Sequence, residues 1–248
     1  MRHIGNRYNE QGATLVELMV ALGILALVTA GIFSQLNAAT QRIAAEQVKV
    51  DNFDEARDFV DQFFRDINQI GYPNGHMVAN LSPALTPWYD PRVAMGLVKI
   101  DTNSIAFEGD INGSGVVQEV QYKINGSGTC TWCFQRSAVP KTAGDPLLQM
   151  TTTANQDWGT EVNDLITTNP VFTYFDVSGA QILTIPADIN SNPTAIAKVK
   201  TIHISLTIQN NAVMDPQTHQ PIQTSFEGEV SLNNCSYAIA GVAPMSCF

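Results

Sequence analysis

The longest run that is apolar at nearly every position covers residues 13–33, where only Thr14, Glu17 and Thr29 are polar. At about 1.5 Å per residue, a helix of that length spans the roughly 30 Å hydrocarbon core of a bilayer. The pattern then changes without stopping. Leu36, Ala39, Ile43, Val50, Phe53, Ala56, Val60, Phe63, Ile67 and Ile70 recur at threes and fours. Asp51, Glu55, Arg57, Asp58, Asp61, Gln62, Arg65 and Asp66 take the opposite face, with Asp61 and Arg65 at ion-pair spacing. Phe53, Phe59, Phe63 and Phe64 crowd the last turns, so the stripe is expected to pack on a sheet instead of forming a free coiled coil. Gly71 suits a left-handed stop and Pro73 prevents continuation, so one helix is expected over 13–70, with 13–33 as its membrane half.

After the helix the period shortens. Residues 73–96 contain Pro73, Pro83, Pro87 and Pro91 and read as a long surface connection. Val120, Tyr122 and Ile124 alternate with Glu119, Gln121 and Lys123, and Ile202, Ile204, Leu206 and Ile208 alternate with Thr201, His203, Ser205 and Thr207. Each reads as a strand with one wet face. The stretch through Phe226, Val230 and Leu232 alternates likewise and is expected to pair antiparallel with the Ile202 strand, with Asp215-Pro216 in the turn. The fold class is α+β: a long N-terminal helix, half transmembrane and half amphipathic, packed on an antiparallel β-sheet domain over 71–248.

Composition narrows the role. The 248 residues are 15% charged and 44% hydrophobic, enough to build a folded body and too few charges for a disordered chain. With 13 Lys and Arg against a net charge of -10, a broad nucleic-acid surface is not expected. Arg2 and Arg7 precede the apolar run and acidic residues dominate after it. That bias leaves the N-terminus in the cytoplasm and sends the rest across an inner membrane in a single pass.

Glu17 is the odd residue of the run. No cation lies one turn away, since Ala13 and Ala21 are apolar, so its partner is expected from elsewhere. Cleavage after Gly12 would expose an amine on Ala13, and a neighbouring subunit's amine could neutralise Glu17 when helices pack in apolar surroundings. The run Gly12-Ala13-Thr14-Leu15-Val16-Glu17-Leu18-Met19-Val20-Ala21 resembles the cleavage and methylation motif of type IV pilins and type II secretion pseudopilins. The resemblance implies a leader over 1–12, a cut by prepilin peptidase after Gly12, N-methylation of Ala13, and a role in subunit assembly for Glu17. That family usually has Phe where Ala13 stands. An ordinary secretory signal cut near Ala30 or Ala39, or an uncleaved anchor, would explain neither the Glu in the apolar core nor the motif before it.

A second similarity is to the PilW-like minor pilins. It rests on Phe64-Arg65-Asp66-Ile67 with Gly71-Tyr72, and on the strand from Lys198 to Gln209 followed by Asp215-Pro216-Gln217-Thr218. It implies a structural subunit of a type IV pilus in an initiation or tip complex with other minor pilins, serving adhesion, twitching motility or DNA uptake. The subunit would be stored in the inner membrane and later displayed on the cell surface. A GspJ-like pseudopilin is the competing similarity, and a membrane-anchored periplasmic protein with a redox or metal site is a third reading.

The residues that would carry such a site are few. Cys130, Cys133, Cys235 and Cys247 are expected as two disulfides in an exported domain, Cys130 with Cys133 and Cys235 with Cys247 by nearness in sequence, although four cysteines allow three pairings. Cys130-Thr131-Trp132-Cys133 looks like a redox motif but sits in strand-like sequence. Asp110, Asn112 and Ser114 begin like a calcium loop, yet Gln121 stands where a bidentate Glu is needed, so a glycine-rich hairpin between the Phe107 and Val120 strands is the simpler reading. His3, His76, His203 and His219 do not cluster in sequence, with His203 expected in solvent, and no hydrolase, zinc-protease or phosphate-loop motif is present. Neither an enzyme nor a cofactor is expected.

Overall fold

The computed structural model describes residues 14–75, 77–81, 89–126, 132–152, 156–166 and 170–232. Helix α1 runs over Leu15–Ile67, 53 residues and about 80 Å. Strands β1 (Leu97–Ile100), β2 (Ser104–Gly109), β3 (Gln118–Asn125) and β4 (Cys133–Pro140) follow. Next come helix α2 (Pro146–Thr151), β5 (Trp158–Val162), β6 (Phe172–Phe175), β7 (Ala187–Asp188), helix α3 (Pro193–Lys198), β8 (Thr201–Met214) and β9 (Pro221–Ser231). The architecture is the expected α+β arrangement, a long apolar helix on antiparallel sheets.

A six-stranded sheet has the order β5-β4-β3-β2-β1-β7 and a three-stranded one the order β6-β8-β9, every pairing antiparallel. The expected pairing of the Ile202 strand is present, with Ile202 opposite Val230 and Leu206 opposite Phe226, and Asp215 lies in the turn. The hairpin between the Phe107 and Val120 strands is also present, with Phe107 opposite Val120.

The end of α1 joins the two sheets. Ala56, Phe59, Val60, Phe63 and Ile67 are buried in one core with Phe107, Tyr122 and Phe134 of one sheet and Phe172, Ile204 and Leu206 of the other. Phe59 and Phe134 meet edge to face at 4.7 Å, and Phe63 lies 5.3 Å from Tyr122 and 5.4 Å from Phe172. Aromatic pairs at such distances add to the area they bury. The apolar stripe therefore packs only over its last turns, for Leu36, Ile43 and Val50 remain exposed. Asp61 pairs with Arg57 at 3.9 Å, while Arg65 Nε donates to the Asp61 carbonyl, so the expected Asp61–Arg65 pair is replaced.

Helix α1 stops three residues short of the expected end. Asn68 caps it, its side-chain amide donating to the Phe64 carbonyl at 2.9 Å, and Gly71 then takes the left-handed conformation at φ 75°. Between them Ile70 bridges to Gly109 of β2, the Gly71 amide donates to the Glu108 carbonyl and the Asp110 amide to the Tyr72 carbonyl. This seam fixes Gly109, where an added Cβ would lie 2.3 Å from the Gln69 carbonyl oxygen. Backbone cannot yield as a side-chain tip can. Gly109→Ala is expected to lower stability by about 2–3 kcal/mol in denaturant titration, an overpacking cost.

The segment after the helix departs from a surface connection. Val93, Ala94 and Met95 are at most 2% exposed. Met95 joins Val98, Ala106, Met150 and Ile189 in a second, smaller apolar cluster, against which the partly buried Leu147 of α2 packs.

Candidate functional site

The residues singled out from sequence concentrate at the start of α1. Gly12 and Ala13 lie outside the described residues. Thr14 is the N-cap, with extended backbone. Its hydroxyl oxygen accepts the Glu17 amide at 3.3 Å, and the Glu17 carboxylate accepts the Thr14 amide at 2.8 Å and the Thr14 hydroxyl at 3.1 Å. This is a capping box, two otherwise orphaned helix donors satisfied reciprocally. Glu17 thus has partners inside its own chain, which corrects the expectation of a purely distant one. That expectation looked for cations, whereas the donors are an amide and a hydroxyl. The spacing Thr14-Leu15-Val16-Glu17 carried the signal.

The rest of the apolar run is equally self-sufficient. The Thr29 hydroxyl donates to the Leu25 carbonyl at 2.7 Å, so the hydroxyl does not need water. Every residue from 14 to 44 is exposed, including Leu15 at 75% and Leu27 at 76%. The bare apolar side chains fall on all sides of the helix and do not form one stripe, the pattern of a helix surrounded by apolar material. By length and composition α1 can cross a membrane.

Comparison with known families decides what this segment is. Residues 7–33 match the family described as the prokaryotic N-terminal methylation motif. The chain carries a prepilin-type methylation motif. The motif covers the capping box and the bare start of α1, and it implies processing by prepilin peptidase and assembly with other pilins. Together with the apolar helix, it fits anchoring in a membrane by the N-terminal end. No curated protein matches the chain.

Of the remaining candidates, Cys133 is fully buried and disulfide-bonded, while Cys130, Cys235 and Cys247 lie outside the described residues. Asp110 spends both carboxylate oxygens on its own loop, accepting the Ser114 amide at 3.0 Å and the Gly115 amide at 2.7 Å. Asn112 Oδ1 also accepts the Ser114 amide and Ser114 Oγ accepts the Val116 amide. The oxygens that would ligate calcium instead close the hairpin. Among the described residues no group of three His, Cys, Asp or Glu is placed to hold a metal ion. His203 is half-buried, its Nδ1 3.4 Å from Thr173 Oγ1, and not simply solvated. His3 and His76 lie outside the described residues, and His219 is in the β8–β9 turn.

Two polar clusters were missed because Asp66, on the polar face of the helix, and Glu119, on the alternating strand, both read as wet. Asp66, read as part of the helix's polar face, is fully buried. Its carboxylate accepts the Tyr122 hydroxyl at 2.6 Å, Arg136 Nε and Nη2 at 2.8 Å each, and the Gln62 side-chain amide at 2.7 Å. Burial and then the Asp66 charge hold the Tyr122 phenol well above its ordinary range, so it remains a donor. This knot ties α1 to β3 and β4. The second cluster lies on the opposite face of the sheet. Glu108 and Lys141 form an ion pair at 2.7 Å with both side chains fully buried, and Glu119 stands opposite Glu108 across the β2–β3 ladder at 2% exposure.

Proposed function

We propose that the chain is a prepilin whose mature form is a minor subunit of a type IV pilus, with a structural and not a catalytic role. The observation that carries this reading is the methylation motif at 7–33 laid over a helix that is bare on all sides to residue 44. In a membrane that helix stores the subunit with its β-rich head on the far side. In a filament the same apolar surface packs against the helices of neighbouring pilins, so one segment serves both states. The motif fits a pilin and a secretion pseudopilin alike. Assignment to a PilW-like minor pilin of an initiation or tip complex rests on the resemblance at Phe64-Arg65-Asp66-Ile67, Gly71-Tyr72 and the strand from Lys198 through Thr218.

Mass spectrometry of the protein from cells containing prepilin peptidase is the direct test. The expected mature chain begins at Ala13 and carries one methyl group on its amine. A chain that begins at Met1, or at a residue near Ala30 or Ala39, overturns the reading. Deleting the gene is expected to abolish or reduce surface pili and leave protein secretion intact, and the opposite result would make the protein a pseudopilin.

A further inference from the structure

Glu108 and Glu119 are cross-strand partners on the face of the six-stranded sheet that turns away from α1, 0% and 2% exposed. Partners in such a ladder have Cβ atoms about 5 Å apart. Among the described residues the one cation inside the cluster is Lys141, whose Nζ donates to Glu108 Oε2 at 2.7 Å and to the Val93 carbonyl at 2.8 Å. Glu108 Oε2 also accepts the Met95 amide at 2.8 Å. What remains is one buried oxygen on each acid, Glu108 Oε1 and Glu119 Oε1, without a hydrogen-bond partner among the described residues.

Two carboxylates and one ammonium leave a surplus negative charge in a dry place, where an uncompensated charge is strongly disfavoured. A single proton removes both difficulties. On Glu119 it cancels the surplus charge and turns an orphaned acceptor into a donor. We infer that Glu108 and Glu119 share one proton, and that this proton operates a clasp closing residues 141–152 over the outer face of the sheet.

What the clasp holds is small. Lys141 begins the connection into α2, which buries Pro146 and Met150 and packs on a cluster that, among the described residues, holds Met95, Val98, Ala106 and Ile189. Small satellite clusters belong to the least stable parts of a fold. The other charges facing the pair are Asp145 at the N-cap of α2, which opposes ionisation of Glu108, and the Asp90–Arg92 ion pair on the connection before β1, close enough for Asp90 to feel Lys141. None of these supplies a second cation inside the cluster. Burial, and then the charge on Glu108, push Glu119 up to about 8 against the opposing pull of Lys141. The sign follows. The closed form binds the proton more tightly than the open one, so closure is strongest below the ordinary carboxyl range and is lost as pH rises through about 8.

Hydrogen exchange of the full chain in detergent micelles tests this. After correction for intrinsic base catalysis, opening of residues 141–152 is expected to rise by about ten-fold or more from about pH 6 to about pH 8.5. Glu119→Gln, a neutral isostere, is expected to flatten that rise, and residues 201–214 of β8 are expected to show no such dependence in either protein. Equal pH dependence in wild type and variant overturns the proposal. Should the variant not fold, the side-chain carboxyl carbon of Glu119 in the wild type decides by NMR, for titration below about pH 5, in the ordinary carboxyl range, also overturns it.

Discussion

Replacing Glu17 by alanine is expected to reduce incorporation into filaments at least ten-fold while leaving the thermal unfolding of the head unchanged. The head is untouched because Glu17 lies at the start of α1, far along the helix from the first buried residue, Ala45. The carboxylate has one observed role and one proposed. It caps the helix by accepting the Thr14 amide, and in a filament it would also meet a neighbouring subunit's Ala13 amine. Glu17→Gln separates them, since an amide oxygen can still accept the Thr14 amide but carries no charge. Loss of incorporation in both variants, measured as subunit content of sheared filaments, assigns the role to charge pairing. Recovery with glutamine assigns it to capping, and normal incorporation of the alanine variant removes Glu17 from assembly.

The second large effect is expected at Asp66. Asp66→Ala strips four hydrogen bonds at once and leaves the Arg136 guanidinium and the Tyr122 hydroxyl facing a cavity. Breaking a buried pair from one side costs about 3–5 kcal/mol, because the partner stays buried and uncompensated. In a chain of 248 residues that corresponds to a fall of roughly 10 °C in Tm by calorimetry. Arg57→Ala, which removes an ion pair exposed on both sides, is the control and is expected to change stability by less than about 0.5 kcal/mol. Comparable losses from both variants would mean that the Asp66 knot does not fasten the helix.

Periodicity exposed the elements and left their covering hidden. The threes and fours of Ala56, Val60, Phe63 and Ile67 placed the packed face of α1, and the strict alternation from Ile202 to Ile208 placed β8 and its partner. These are local properties, written in neighbouring residues. The errors came where a distant segment lands on a face that reads as wet. Glu119 alternates with Val120 as an exposed residue should, but the Val93–Met95 stretch and α2 cover that side of the sheet. Asp66 follows Arg65 on a charged helix face, yet Tyr122 and Arg136 reach it from positions 56 and 70 residues away. Likewise Gly109 was not singled out, because nothing in its sequence neighbourhood records that Gln69 lies against it. At the N-terminus the methylation motif was legible from consecutive residues, whereas the capping box of Thr14 and Glu17, equally local, was overlooked in a search for cations.

Helix α1 is held to its body between Ala45 and Ile67, its last turns fastened by the Asp66 knot, and is bare from its N-cap to residue 44. Any tension between the two halves must therefore pass through that joint. The long free arm makes a lever of small sideways displacements of the head, and the buried Asp66–Arg136 clamp becomes the mechanical fuse of the subunit. Pulling is expected to peel helix from sheet at this joint before any strand ladder gives way.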